Sequence, residues 1–257
     1  MAELTTFCKM ISKNQLKFVR QLEQKKHRWR ESLFVAEGTK VVGDLLRRYQ
    51  PHLVFAIPEW KEAHPDIDVN EVTSDELRRL SFLQHPQKVL ALFPIPKSTH
   101  GDERLEFGGL QLALDGIQDP GNLGTIIRIA DWFGITTIYC SLDTVDVWNP
   151  KVIQATMGSI AHVNIIYMDL TQLLKKVPSD FPIYGTFLDG NDIYQQPLSS
   201  EGIIIMGNEG NGISEDVSRL VNHRLLIPTF HYGEKAESLN VAIATAITCS
   251  EFRRRFH

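Results

Sequence analysis

The sequence predicts an α/β protein of two domains, a small N-terminal α/β sandwich and a larger C-terminal domain built on a mostly parallel sheet. Three observations carry this. Short apolar runs bounded by turn residues alternate with segments whose apolar residues fall at helical spacing. A length of 257 residues exceeds what one core ordinarily serves. Residues 94–109, rich in proline, glycine and charge, interrupt the alternation and read as linker. The expected layout is residues 1–96 for the first domain, 97–109 for the linker and 110–257 for the second domain.

In the first domain, residues 14–23 read as a helix with Leu16, Val19 and Leu22 on one side. Residues 33–36 are a short strand. Residues 39–49 form a helix with Val41, Val42, Leu45 and Leu46 inward, and 53–57 a second strand. Thr73 or Ser74 caps a helix ending near Leu80, with Glu76 or Leu77 in its first turn. Residues 89–93 form a strand stopped by Pro94 and Pro96.

The second domain opens with strand 110–114 and a polar loop, 115–122. A helix follows, with Ile126, Ile129, Ala130 and Phe133 at helical spacing and Asn122 placed to cap it. Strand 136–141 comes next, then a helix near 149–160 with Pro150 in its first turn. The remaining elements are strand 163–167, helix 170–177, strands 183–187 and 202–206, a helix near 215–221, strand 224–227 and a last helix, 237–256. Nearly all-apolar strands fit a parallel sheet buried on both faces.

Composition excludes several classes. Apolar content of 43% and charged content of 23% are those of a soluble globular protein. No long uncharged apolar run could cross a membrane, and the N-terminus lacks a signal peptide's apolar core. Cys8, Cys140 and Cys249 are isolated, so neither a disulfide framework nor a Cys-x-x-Cys metal pair is expected, and a reducing cytoplasm is the default. No His/Cys spacing defines a zinc site, and no metal is expected. The net charge of −4 hides an asymmetry: residues 1–100 hold 16 basic against 12 acidic residues, the remainder 11 against 19. Lys9, Lys13, Lys17, Arg20, Lys25, Lys26, Arg28 and Arg30 face a single acid, Glu23, with Phe18, His27 and Trp29 among them. Such a cluster suits a phosphate backbone and stacked bases; a solvated helix face is the alternative.

Three distant stretches place polar residues and glycines directly after an apolar strand. The first is the 110–133 strand, loop and helix, from which Arg128 projects. The second holds Gly207, Glu209, Gly210 and Gly212, in the order G-x-x-G-x-G, so that neither the dinucleotide fingerprint nor a P-loop is met. The third runs from Ile227 and Pro228 through His231 to Ser238, Leu239 and Asn240. In open α/β sheets ligands bind beyond the carboxyl ends of strands, so three such loops at one edge make one pocket. Ser238 could simply cap the last helix, and His231 could be incidental rather than a general base.

Together the three stretches resemble the signature segments of the SpoU (TrmH-like) branch of the SPOUT methyltransferases. The residues are Asp119-Pro-Gly-Asn122-Leu-Gly124-Thr-Ile-Ile-Arg128, then Gly207-Asn-Glu209-Gly-Asn-Gly212, then Ile227-Pro228 with Ser238-Leu-Asn240-Val241. More weakly, Met10-Ile-Ser-Lys-Asn14 and Val35-Ala-Glu-Gly38 resemble the family's ribosomal-protein-like RNA-binding extension. The resemblance implies a SPOUT domain with a deep trefoil knot, a homodimer whose active site is completed across the interface, and S-adenosylmethionine as cofactor. It implies 2′-O-methylation of ribose in RNA, with ribosomal RNA preferred and transfer RNA the rival. A non-catalytic RNA-binding or ribosome-assembly protein on the same fold is the alternative of a different class, and a small-molecule nucleotide enzyme a third. Carried over by position, Arg128 is the catalytic residue at the 2′-hydroxyl, with Asn122, Glu209, Ser238 and Asn240 as site partners. Gly207, Gly212, Ile227 and Leu239 line the cofactor, and Phe187 and Leu188 touch it. Lys13, Lys17, Arg20, Lys25, Lys26 and Arg28 are the candidate RNA contacts. Arg128 acts either as a base or as an anchor for the neighbouring phosphate. One departure stands out. The 229–237 loop is longer than is usual in the family, and its glycine, Gly233, comes late; His231, Tyr232 and Lys235 there are candidate local RNA contacts.

Overall fold

The computed structural model describes residues 11–96, 105–231 and 238–256. The expected contacts at Lys9, Tyr232 and Lys235, the Met10 end of its motif, Cys8, Gly233 and most of the linker lie outside them.

The chain divides into two compact units. One comprises the residues up to Ile95 together with Trp148–Ala161, the other Pro96–Val147 and the residues from His162 onwards. In the first unit α1 (Lys13–Gln21) starts at a capping box. Ser12 Oγ accepts from Gln15 N at 3.1 Å, and Gln15 Oε1 accepts from Ser12 N at 3.1 Å. A second helix, α2 (Lys25–Glu31), follows, which the sequence did not show because its run of charge has no apolar period. Next come β1 (Leu33–Glu37), α3 (Thr39–Leu46), β2 (Leu53–Ala56), a short α4 (Pro58–Glu62) and the two-residue β3 (Asn70–Glu71). Thr73 caps α5 (Ser74–Leu80) in a reciprocal box with Glu76, and β4 (Val89–Pro94) ends the set. The sheet order is β1-β4-β2-β3, with β4 antiparallel to both β1 and β2.

The second unit holds a six-stranded, all-parallel sheet in the order β10-β8-β9-β5-β6-β7. Its strands are β5 (Leu110–Asp115), β6 (Thr137–Cys140), β7 (Asn164–Tyr167), β8 (Ile183–Asp192), β9 (Gly202–Gly207) and β10 (His223–Leu226). β5 and β9, at the centre, are buried along their whole length, as near-continuous apolar runs require. Helices α6 (Pro120–Trp132), α8 (Leu170–Leu174), α9 (Glu215–Ser218) and α10 (Val241–Arg254) cover it. The helix expected near 149–160 is α7 (Pro150–Thr156), capped by Asn149, and it belongs to the first unit. There the Trp148 ring lies 4.5 Å from that of Phe34 on β1, a long-range contact that local periodicity cannot announce.

Among the described residues, no helix is long and apolar enough to cross a membrane, and no cluster of three or more His, Cys, Asp or Glu could hold a metal.

Candidate active site

The site is assembled at the carboxyl ends of β5, β9 and β10. After β5, the chain turns through Gly116 at φ +73° into α6. The N-cap of that helix is Asp119, whose Oδ1 accepts from Asn122 N at 2.8 Å, with Pro120 in the first turn. Asn122 is therefore not the cap, contrary to the sequence reading. Standing in the helix's first turn, its amide is left free for other work.

That work is a hydrogen-bonded chain across three loops. Asn240, the N-cap of α10, accepts from Ala242 N at 2.9 Å and Ile243 N at 3.3 Å through Oδ1. This fixes its Nδ2 as the outward donor, which gives a 2.9 Å hydrogen bond to Asn122 Oδ1. Asn122 Nδ2 in turn donates to Glu209 Oε1 at 3.0 Å. Glu209 also accepts from Asp119 N at 3.1 Å and Gln118 N at 3.2 Å. Ser238, offered as a possible cap, stands two residues before Asn240, which caps the helix.

A carboxylate with three donors is most comfortable ionised. Burial is the largest single influence on Glu209 and pushes its pKa up. The Asn122 amide, the loop's own backbone and the N–H groups of Gln118 and Asp119 together outweigh it and hold the carboxyl below its ordinary range.

The loop carrying Glu209 is held shut at its base. Asn208 and Gly212 exchange backbone hydrogen bonds of 2.9 and 3.0 Å, and Asn208 Oδ1 accepts from Gly210 N and Asn211 N at 2.9 and 3.0 Å. Asn208 Nδ2 donates to Gly116 O at 2.6 Å, and Ser214 N donates to the buried Asp115 Oδ2 at 2.7 Å. Asn208 and Asp115 were missed from the sequence, although an Asn directly after a strand and before two glycines is an Asx-turn signal.

A cavity of about 1150 Å³ opens beside this loop. Gly207, Gly212, Ile227, Leu239, Phe187 and Leu188, all named from the sequence as cofactor residues, line it, as do Glu209, Ser238 and His231. Its walls combine apolar side chains and glycine backbone with a smaller number of polar groups, which suits a flat heterocycle carrying a polar tail. Asn122, Asn240 and Arg128 do not line it. Arg128 lies on α6, exposed, and among the described residues it has no hydrogen-bond or ion-pair partner.

Of the expected RNA contacts in the first unit, Lys13, Lys17, Lys25 and Lys26 are exposed. Arg20 is exposed but partly engaged: its Nη1 donates to Ser81 O at 2.6 Å and its guanidinium lies 4.7 Å from the centre of the Phe82 ring. Arg28 is a correction. It is 1% exposed and donates through Nη1 to Leu22 O at 2.9 Å and Glu23 O at 2.6 Å, joining the end of α1 to α2. A guanidinium spent on buried carbonyls has no face for RNA.

Comparison with known proteins agrees on one family. Residues 109–250 match the SpoU rRNA Methylase family, and residues 13–91 match the MRM3-like substrate binding domain. The 23S rRNA (guanosine(2553)-2′-O)-methyltransferase RlmP of Bacillus subtilis is 31% identical over 251 residues, spanning 94% of this chain and 97% of that protein. A Porphyromonas gingivalis structure assigned to the TrmH family of RNA methyltransferases matches with a TM-score of 0.85 at 40% identity, covering 96% of this chain and 99% of that one. The AdoMet-bound rRNA methyltransferase of Sinorhizobium meliloti matches with a TM-score of 0.84 at 30% identity, covering 97% and 98%.

Proposed function

The chain belongs to the SpoU family of RNA methyltransferases, and from that premise we propose that it methylates a ribose 2′-hydroxyl of ribosomal RNA using S-adenosylmethionine. The observation that carries the reading is the Asn240–Asn122–Glu209 chain of hydrogen bonds, which meets the cavity at Glu209, with Arg128 unpartnered on the same helix as Asn122. Ribosomal RNA is preferred over transfer RNA because relatives that align with most of this chain, such as the B. subtilis protein, are named for 23S rRNA.

The cavity fits the cofactor. Gly207, Gly212, Ile227, Leu239, Phe187 and Leu188 would hold it, with the apolar walls around the adenine. When bound, the cofactor supplies a sulfonium methyl. The protein's part is positioning, which for well-oriented reactants is worth effective molarities of about 10⁵ M or more. Arg128 grips the phosphate beside the target ribose, a task for which a planar, permanently charged fork is suited. Glu209, locked as a carboxylate, and Asn122 hold the loop and the start of α6 in register, and Ser238 and Asn240 border the hydroxyl. The proton leaves to a phosphate oxygen or to water.

We further propose a homodimer whose subunits join along α6 and α10, the arrangement that would bring a partner's Arg128 to the cavity. Trp132, 85% exposed at the end of α6, and Ile243, 53% exposed in the first turn of α10, are the support: such groups favour a covered face. A trefoil knot belongs to the same proposal. It is supported by the return of the chain from the edge strand β10 to α10, which packs on α6 and on β9 in the middle of the sheet. A cytoplasmic location rests on the buried free thiols of Cys140 and Cys249.

The first unit is proposed as the RNA grip. Lys25 and Lys26 occupy the first turn of α2, where the helix dipole disfavours cations and no acid offsets them. Their placement works against the helix, which points to a use outside it. Reversing both charges (Lys25→Glu with Lys26→Glu) should weaken RNA binding at least tenfold and make its salt dependence shallower by about one log unit per lysine lost. Unchanged affinity and slope would return the pair to an ordinary solvated face.

The test of the function itself is nucleoside mass spectrometry of total RNA from cells with and without the gene. One 2′-O-methyl nucleoside should disappear, and mapping it names the RNA. Loss from transfer RNA would move the substrate; no lost ribose methylation would favour a binding protein on this fold.

A further inference from the structure

We propose that Arg224, which does not touch the cavity, is a positioning residue that holds its Phe187 wall in place. The inference rests on the cofactor reading above and concerns how the site is kept in shape.

β8 and β10 pair in parallel with Gly185 opposite Arg224, but the next residue of β10, Leu225, stands opposite Asn191. Residues 186–190 of β8 therefore bulge out between two consecutive residues of β10. Thr186, Phe187 and Leu188, the first three of that excursion, line the cavity. A segment that has given up its ladder partners needs some other anchor, or it would sample many conformations.

Arg224 supplies one. Its Nη2 donates to Asp189 Oδ1 at 2.6 Å, tying down the far side of the bulge, and its Nη1 donates to Ser218 Oγ at 3.0 Å, tying the guanidinium to α9. The same guanidinium lies 3.5 Å from the centre of the Phe187 ring, close enough for strong attraction to the ring face. The hydrogen bond from Arg224 is also the main reason that the Asp189 carboxyl sits below its ordinary pKa.

Bare backbone completes the seat. A Cβ at Gly185 would come within 2.6 Å of Phe187 Cε2, so the ring uses the space a side chain would fill. At the far end, a Cβ at Gly190 would lie 2.5 Å from the Leu225 carbonyl carbon, which lets the bulge close tightly on β10. Arg224, Asp189 and Ser218 are all absent from the cavity wall. The Arg224 side chain meets the cavity wall at Phe187 and, through Asp189, at the bulge, so its truncation acts there first.

The test is calorimetric titration of the full chain with S-adenosylmethionine, using wild type, Arg224→Met, Phe187→Ala and the double variant. Arg224→Met should raise Kd about tenfold. The maximal methylation rate at saturating S-adenosylmethionine, measured on total RNA from cells lacking the gene, should stay within about twofold of wild type. In the Phe187→Ala background the same substitution should add less than about twofold, because the ring through which it acts is gone. Arg224→Lys, which keeps the charge but loses the planar fork, should fall between wild type and Arg224→Met. Equal penalties in both backgrounds, or a fallen maximal rate with unchanged Kd, would overturn the proposal. Should Arg224→Met fail to fold, Asp189→Ala removes one anchor from an exposed position; about a threefold rise in Kd is expected, and no rise overturns the proposal. Wild type that does not bind S-adenosylmethionine would overturn the cofactor reading and this inference with it. Wild type that binds beside an unaffected Arg224→Met would overturn the positioning role alone.

Discussion

Arg128→Ala is expected to lower the methylation rate on RNA by about a hundredfold or more, the scale seen when reactants are no longer held in position, and to leave the rest of the protein as it was. Two points make the result specific. Arg128 is exposed and partnerless among the described residues, so its truncation breaks no hydrogen bond of the fold. Its proposed grip is on the RNA phosphate and not on the cofactor, so the affinity for S-adenosylmethionine should change by less than about twofold. Light scattering should give twice the 29.2 kDa chain mass for both wild type and variant. Arg128→Lys keeps the charge but not the two-pronged donor, and should recover a small part of the rate. Retained turnover in Arg128→Ala would sink the assignment, and a monomeric mass for wild type would sink the proposed dimer.

The sequence carried much of this because its signals were local. Thr73 and Glu76 announce a capping box three residues apart, and the structure contains it. The runs that become β5 and β9 are nearly all apolar, which is what strands buried on both faces require. What escaped depended on partners far away in the chain. Asn122 looked like a cap, whereas Asp119, followed by Pro120, takes that place, and Asn122 instead bridges Glu209 and Asn240, 87 and 118 residues further on. Arg28 looked like one more cation in a basic run. Its burial follows from how α1 meets α2, a corner that no period marks. Helix α7 falls in the stretch of sequence assigned to the second domain yet completes the first unit. The bulge in β8 read as the end of a strand at residue 187, because its continuation at Asn191 and Asp192 is visible only in pairing with β10.

Gly207→Ala should have an effect as large as that of Arg128→Ala, but by a different route. At Gly207 the difficulty is space, since its φ is not among the positive values that glycine is needed to supply. An added Cβ would lie 2.2 Å from the Gly212 carbonyl carbon, 2.3 Å from Ile213 N and 2.6 Å from Gly212 O. All three are backbone atoms, so no rotamer change relieves the clash; the 208–212 loop must move. Moving it pulls apart the paired hydrogen bonds between Asn208 and Gly212. It also carries Glu209 away from Asn122 and from the Gln118 and Asp119 amides. One methyl group thus disturbs the cavity wall and the carboxylate that ties it to α6. Affinity for S-adenosylmethionine should fall about a hundredfold or more, equivalent to about 3 kcal/mol, a reasonable cost for displacing packed backbone. Gly210→Ala is the comparison. There the added carbon would meet only Asn208 Oδ1, at 3.6 Å, an ordinary contact, and the loss should stay below about threefold. Titration of both variants decides the matter: equal losses would mean that the loop responds to any added side chain, and a Gly207→Ala protein that binds normally would show that the close approach to Gly212 is not what shapes the pocket.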